Sequence, residues 1–336
     1  MMRDKFRKTV VFGFLGMLCL APAHSQTKPV LGAWEIMPAQ DEPVAREEAG
    51  FLEMGGRFFL IGGRRENPVD IFDPKTRTWS KGAVPPVEIH HFQPVVFEDR
   101  IYVIGAMTGP FPHETPVPHV LIYDPAKDQW TRGADIPAER RRGASGVAVH
   151  DGKIYLVAGI LDGHWAGTIA WFDEFDPKTG QWRVLPDAPH ARDHFSAEII
   201  GGKLYAANGR SSSVATKQSF DLTVKDVDVF DFRRRKWSTL PQGLPTLRAG
   251  GMTAVVGTRL VVIGGESATQ IPAHAEVEAY DTTTGRWESL PPLVQGRHGT
   301  GALVYQGRVY TASGAGNRGG SPVLSTIESA LVLAPK

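Results

Sequence analysis

Phe72-Asp73-Pro74-Lys75-Thr76-Arg77-Thr78-Trp79 is the phrase that decides the fold, because the chain keeps returning to it. Tyr123-Asp124-Pro125 leads to Trp130, and Phe175-Asp176-Pro177-Lys178-Thr179-Gly180 leads to Trp182. Phe230-Asp231 then leads to Trp237 and Tyr280-Asp281 to Trp287. With Trp34 these make six tryptophans at intervals of 45 to 55 residues. A period of that size, in a chain of short strands, means stacked or radially arranged sheet units. Asp-Pro suits the first positions of a type I turn, since Pro presets φ and the Asp oxygen bonds backbone two residues on. An aromatic before the turn and a Trp after it predict a hairpin that buries large side chains against a neighbouring sheet.

A second phrase falls 26 to 28 residues after each Trp. Its members are Phe59-Leu60-Ile61-Gly62-Gly63, Tyr102-Val103-Ile104-Gly105-Ala106, Tyr155-Leu156-Val157-Ala158-Gly159, Tyr205-Ala206-Ala207-Asn208-Gly209, Val261-Val262-Ile263-Gly264-Gly265 and Tyr310-Thr311-Ala312-Ser313-Gly314. Each is an apolar strand that ends in small residues, where backbones can approach closely. Turns such as Asp151-Gly152 and Gly201-Gly202 precede these strands and read as tight hairpins. Sixteen residues before the first small residue stands an arginine in five units, Arg46, Arg142, Arg192, Arg248 and Arg297, with Ile89 in the second. This slot is expected to bond carbonyls or carboxylates of the neighbouring sheet. Each unit is thus two hairpins, a four-stranded antiparallel sheet.

The diglycine after an apolar strand, the Tyr-Asp pair and the spaced Trp resemble the kelch repeat, over about residues 31–334. The resemblance implies an all-β, six-bladed kelch-type β-propeller. The last unit, ending Thr326-Ile327-Glu328-Ser329-Ala330-Leu331-Val332, has no Trp, and Gly32-Ala33-Trp34-Glu35 has no strands before it. Residues 31–38 are therefore expected to join the C-terminal blade and close the ring, leaving no long open edge.

Residues 1–26 read as a signal peptide, with Arg3, Lys5, Arg7 and Lys8 ahead of an apolar run from Val10 to Leu20 and small residues near Ala23. That run is too short to span a bilayer of roughly 30 Å, so no membrane insertion is expected. The remaining 27–336 is expected to be one domain, exported to the periplasm or secreted, and monomeric. Removing the segment changes the formal charge from +1 to −2 and removes the single cysteine, Cys19. A near-neutral balance argues against nucleic acid as a partner.

Within each blade the turns joining strands one to two and three to four are short and uniform. The connections between strands two and three are long and irregular, and rigidly held irregular loops are where binding concentrates. Two sets of positions should ring the mouth on that face. One follows the small pair: Arg64, Met107, Ile160, Arg210, Glu266 and Ala315. The other follows the arginine slot: Glu47-Glu48, His90-His91, Gly143-Ala144, Asp193-His194, Ala249-Gly250 and His298-Gly299. Arg64, Arg210, His91, His194 and Glu48 are candidate ligand-binding residues. Trp165, off register in Asp162-Gly163-His164-Trp165-Ala166-Gly167, is placed to stack on a ligand or to fold back on its own loop. Imidazoles and carboxylates from several blades (His90, His91, His194, His298, Glu48, Asp193) would bind a divalent metal if they converged. Wide spacing of blades around a ring argues against convergence, and the reading assigns no metal and no cofactor.

These features point to a propeller that binds a carbohydrate, peptide or partner protein on its loop face. The resemblance also offers an enzymatic alternative. Exported six-bladed kelch proteins that interconvert sialic acid anomers imply an acid/base and a cation for the carboxylate, here Glu266 and Arg210. Galactose oxidases share kelch repeats but need a copper-bound tyrosine crosslinked to cysteine, which a chain without Cys19 cannot build.

Overall fold

The computed structural model describes residues 30–333, so the expected targeting segment lies outside the described residues. Six four-stranded antiparallel sheets follow one another around a ring. Blade 1 is built from Ala49–Met54, Arg57–Gly62, Asp70–Asp73 and Thr78–Lys81, and blade 2 from Val95–Phe97, Arg100–Val103, His119–Asp124 and Gln129–Asp135. Blade 3 comprises Gly146–His150, Lys153–Asp162, Ala166–Asp176 and Gln181–Leu185; blade 4 comprises Ser196–Ile200, Lys203–Ala207, Asp228–Asp231 and Lys236–Thr239. Blade 5 runs through Met252–Val256, Arg259–Ile263, Val277–Asp281 and Arg286–Leu290. Blade 6 takes Ala302–Tyr305, Arg308–Ala312 and Ile327–Val332 from the end of the chain and Leu31–Ile36 from its start. Trp34 pairs there with Ala330 and Glu35 with Ser329, so the ring is closed by the N-terminal strand.

The repeated phrases have distinct mechanical roles. Phe72, Tyr123, Phe175, Phe230 and Tyr280 each pair across the hairpin with the following tryptophan. Trp34 and Trp79 are buried, but the other four are only half-buried. Each of those four donates its indole N–H to a carbonyl at or just after the end of the preceding blade, on Ala83, Asp135, Pro186 and Gln242 respectively. They tie blade to blade by a hydrogen bond as much as by burial. Small residues after strand two let the next blade pass: a Cβ at Gly264 would lie 2.3 Å from the Arg297 carbonyl. Gly265 then donates its N–H to that carbonyl at 2.9 Å, as Gly159 does to Arg192 and Gly314 to Arg46.

The arginine slot reaches into its own blade rather than the neighbouring sheet. Arg248 donates to the Gly264 and Val262 carbonyls on strand two and lies 2.5 Å from Glu278 on strand three. Arg46 with Asp70, Arg142 with Asp173, Arg192 with Asp228 and Arg297 with Glu328 repeat the arrangement. The slot hugs its own blade because the chain enters strand one directly over the end of strand two. Blade 2 replaces both partners at once with apolar residues, Ile89 and Leu121, which pack in one hydrophobic cluster.

Strand one of every blade lines a central channel, a cavity of about 350 Å³. On the short-turn face, Gly55-Gly56, Glu98-Asp99, Asp151-Gly152, Gly201-Gly202 and Gln306-Gly307 carry positive φ at both positions, the geometry of tight hairpin turns. On the opposite face the strand two to three connection of blade 3 is a β-extension, with Ile160 paired to Thr168 and Asp162 to Ala166. A small hairpin, Met107–Thr108 with Thr115–Pro116, does the same for blade 2.

Candidate functional site: a charged histidine mouth

At the loop-face end of the channel the two expected sets of positions meet. His90 bridges Met107, Gly143 bridges Ile160, Asp193 bridges Arg210, Ala249 bridges Glu266, and His298 bridges Ala315. One position further on, Glu48, His91, Ala144, His194, Gly250 and Gly299 all have left-handed φ, between 52° and 65°. Their backbones form a relay around the mouth. His91 donates its N–H to Glu48, Ala144 to His91, His194 to Ala144, Gly250 to His194 and Gly299 to Gly250, and Ala49 donates to Gly299 to complete the circuit. Left-handed backbone is costly for a residue with Cβ, so glycine suits the fifth and sixth positions. At the other four it persists because neighbouring blades fix both sides of each peptide.

This backbone ring sets the side chains. One ring nitrogen from each of His91, His164 and His194 lies within 4.8 Å of the others, and all three residues are buried. His164 was not a sequence candidate. It arrives from the tip of the blade 3 extension, where Gly163 permits the approach: a Cβ there would fall 2.5 Å from the Glu114 amide nitrogen. Its only sequence signal is its place beside Trp165. Glu114, from the blade 2 loop, was also missed. It accepts the His164 backbone N–H at 2.9 Å, faces His164 Nδ1 at 2.9 Å and accepts from Arg64 at 2.6 Å. Burial opposes its ionisation, but His164 and Arg64 hold the carboxyl far below the usual range.

His194 faces Asp193 through Nδ1 at 2.5 Å and His164 through Nε2 at 3.1 Å. Asp193 also accepts from the Ser212 hydroxyl and amide and from Thr168. Although burial opposes it, His194, Arg210 and Ser212 hold Asp193 ionised, at about 2. Burial and the Arg210 charge push His194 down to about 4, so its ring is neutral at pH 7. His91 lies well below the ordinary value through burial and the three imidazoles around it. Its Nδ1 is 2.6 Å from His90 Nδ1, and His90 Nε2 is 3.1 Å from the Gly109 carbonyl. Glu48 Oε2 is 3.3 Å from His91 Nε2, and burial pushes that carboxyl up to about 7 against the pull of His298.

Across the mouth, Arg210 and Glu266 form an ion pair at 2.5 Å. Glu266 also accepts from the Gly319 amide at 2.9 Å and lies 3.4 Å from His298. These contacts outweigh burial and hold it at about 2. Arg210 and Glu266 are 1% and 2% exposed, so neither presents a free charge to solvent. Arg64 keeps a quarter of its side chain exposed, between Glu114 and Glu47. Trp165 meets the blade 2 loop. It packs against His113 there, ring centroids 4.5 Å apart and tilted by 37°, leaving more than a third of itself exposed. His91, His194 and Glu48 are thus brought together, Arg210 and Glu266 form a second group with His298, and Trp165 stands on the rim.

The kelch motif matches residues 141–189 and 248–294, which take in the whole of blades 3 and 5. The chain is 28% identical to the kelch-like protein terF of Aspergillus terreus, across 97% of this chain and 75% of that protein. It is 27% identical to Kelch-like protein 25 of Xenopus tropicalis across 77% of this chain, and 32% identical to Kelch-like protein 35 of Mus musculus across 52% of it. It spans only 43% and 29% of the length of those two relatives. The solved structure of YjhT superposes with a TM-score of 0.72 at 16% identity, covering 86% of this chain and 95% of that one. With six blades joined by recurring tryptophans and glycine joints, five of them carrying the arginine slot, and with relatives of this kind, the chain is a kelch-repeat β-propeller.

Proposed function

We propose that this propeller is an exported binding module that holds a peptide or partner protein on its loop face. One observation carries the reading. Blades 2 to 6 each raise at least one large apolar side chain on the strand two to three connection: Phe111, Leu161 and Trp165, Leu222, Ile271 and Val323, all at least 37% exposed. They lie on the loop face that holds the charged mouth, and large apolar side chains left exposed together on one face mark a protein-interaction surface. Export rests on the basic and apolar pattern of residues 1–26.

The test compares cross-linked capture of exported proteins by the wild type, by Phe111→Ser with Ile271→Ser, and by Val184→Ser, an exposed apolar residue on an outer strand. Loss of one discrete partner in the double variant alone supports the loop face. Equal capture by all three sinks it. A thermal shift with a sugar and none with any protein would move the ligand to a glycan; binding at one hundred times Kd stabilises by about 2.7 kcal/mol.

The isomerase alternative has one favourable observation, the adjacency of Glu266 and Arg210. Both are buried in that mutual pair, so a sugar would have to break it to reach either group.

A further inference from the structure

The three histidines at the channel entrance have a proton arrangement that can be worked out from their partners. Carboxylate oxygens of Asp193 and Glu114 lie 2.5 Å and 2.9 Å from Nδ1 of His194 and of His164, so in each contact the ring N–H donates to the oxygen and Nδ1 carries the hydrogen. Both Nε2 atoms are then bare, yet they face each other at 3.1 Å. Two lone pairs at that distance repel unless a cation lies between them. His91 reaches the same state by another route. The Gly109 carbonyl can only accept, so His90 Nε2 carries a proton and His90 Nδ1 is bare. His91 Nδ1 must then donate to His90, which leaves His91 Nε2 bare as well. That atom is buried and has no hydrogen-bond partner. The three tautomers are assigned from the network, and all three leave Nε2 as the free atom.

We infer that His91, His164 and His194 form a three-imidazole site for a divalent first-row transition metal ion at the loop-face end of the channel. Imidazole nitrogen suits zinc, iron, copper and nickel, and three histidines with a position left open is an established zinc arrangement. Zinc–nitrogen bonds of about 2.0–2.1 Å put tetrahedral nitrogens about 3.3 Å apart. The 3.1 Å contact already meets that spacing, and the group as a whole lies within 4.8 Å. Each histidine has an outer acceptor on its other nitrogen (Asp193, Glu114, His90), which is the support that orients metal-binding imidazoles. Glu48, 3.3 Å from His91 Nε2, places a carboxylate beside the open position. The ion comes through the small cavity that Glu48, His91 and His194 line together. This site does not depend on the rim binding a protein.

The test uses the protein purified without a polyhistidine tag, stripped with chelator and titrated with Co²⁺, then competed with Zn²⁺. Visible absorption of Co²⁺ reports the coordination, and elemental analysis reports the stoichiometry. One equivalent per chain is expected. His164→Ala and His194→Ala should each weaken binding about 100-fold or more, and Glu114→Gln about 10–100-fold through loss of the outer acceptor. His150→Ala, at the short-turn end of the first strand of blade 3, should leave it unchanged. His164 lies at a hairpin tip, so its variant keeps the test decisive if the His194 change disturbs the backbone ring; melting curves in chelator verify folding. An absence of binding to the stripped wild type would overturn the inference and make the His164–His194 contact a shared proton. Undiminished stoichiometric binding in His164→Ala would overturn it too.

Discussion

Arg210 and Glu266 are each other's nearest charge, and both are removed from solvent. Taking two charges out of water is costly, and their attraction offsets that cost only while both are present. Arg210→Ala therefore leaves Glu266 with His298 and one amide, and is expected to lower stability by about 3–5 kcal/mol in denaturant titration. Arg64→Ala should cost less, because its guanidinium retains a quarter of its exposure and gains less from pairing. Equal and small losses for both would show that the Arg210 pair does not hold blades 4 and 5 together. The two arginines occupy the same register after the small pair, and the sequence alone gives them the same role. What separates them is the Phe220 ring, which lies against Arg210 and Arg318 and closes over that side of the mouth.

Within a blade, the unit that repeats is the slot arginine with its acid on strand three. Blade 2 dispenses with it by changing both partners to Ile89 and Leu121, which shows that the pair and an apolar contact are interchangeable only together. The same exchange in blade 1 is expected to behave that way. Arg46→Ile alone strands Asp70 in the interior, whereas adding Asp70→Leu removes the orphaned charge. In a double-mutant cycle the two changes should cost less together than the sum of the singles, by about 0.5–3 kcal/mol. Strict additivity would mean the pair contributes nothing beyond its carbonyl contacts. Read from the sequence, the partners of the slot are expected in the neighbouring sheet and these acids are not singled out, although Asp70, Asp173, Asp228 and Glu278 each stand two residues before the aromatic. The same repetition makes the blades, the ring closure and the mouth positions readable, because each copy checks the others. Glu114 and His164 have no such copies. They lie on loops peculiar to blades 2 and 3, and only the folded extension of blade 3 brings His164 back over the channel.

At the scale of the ring, six first strands enclose a channel that no blade possesses alone, and its lining is almost wholly apolar or neutral. Among the described residues Glu198 is the one ionisable side chain on that wall; it accepts from the Thr253 hydroxyl of the next blade at 2.9 Å. Burial pushes its carboxyl up to about 7, only partly countered by that hydrogen bond. A carboxyl raised in the folded state holds its proton there after the unfolded chain has lost it. Its contribution to stability is therefore complete below about 4.5, and falls as pH rises through about 7. Other groups at the mouth titrate in the same window, so the informative quantity is the difference between wild type and Glu198→Gln. The variant keeps the Thr253 acceptor but has no charge to develop. Its stability relative to wild type should rise between pH 4.5 and 8, and the gap should be flat below pH 4. Parallel stability curves across that range would mean that the carboxylate is solvated within the channel, and that the ring encloses water rather than a low-dielectric core.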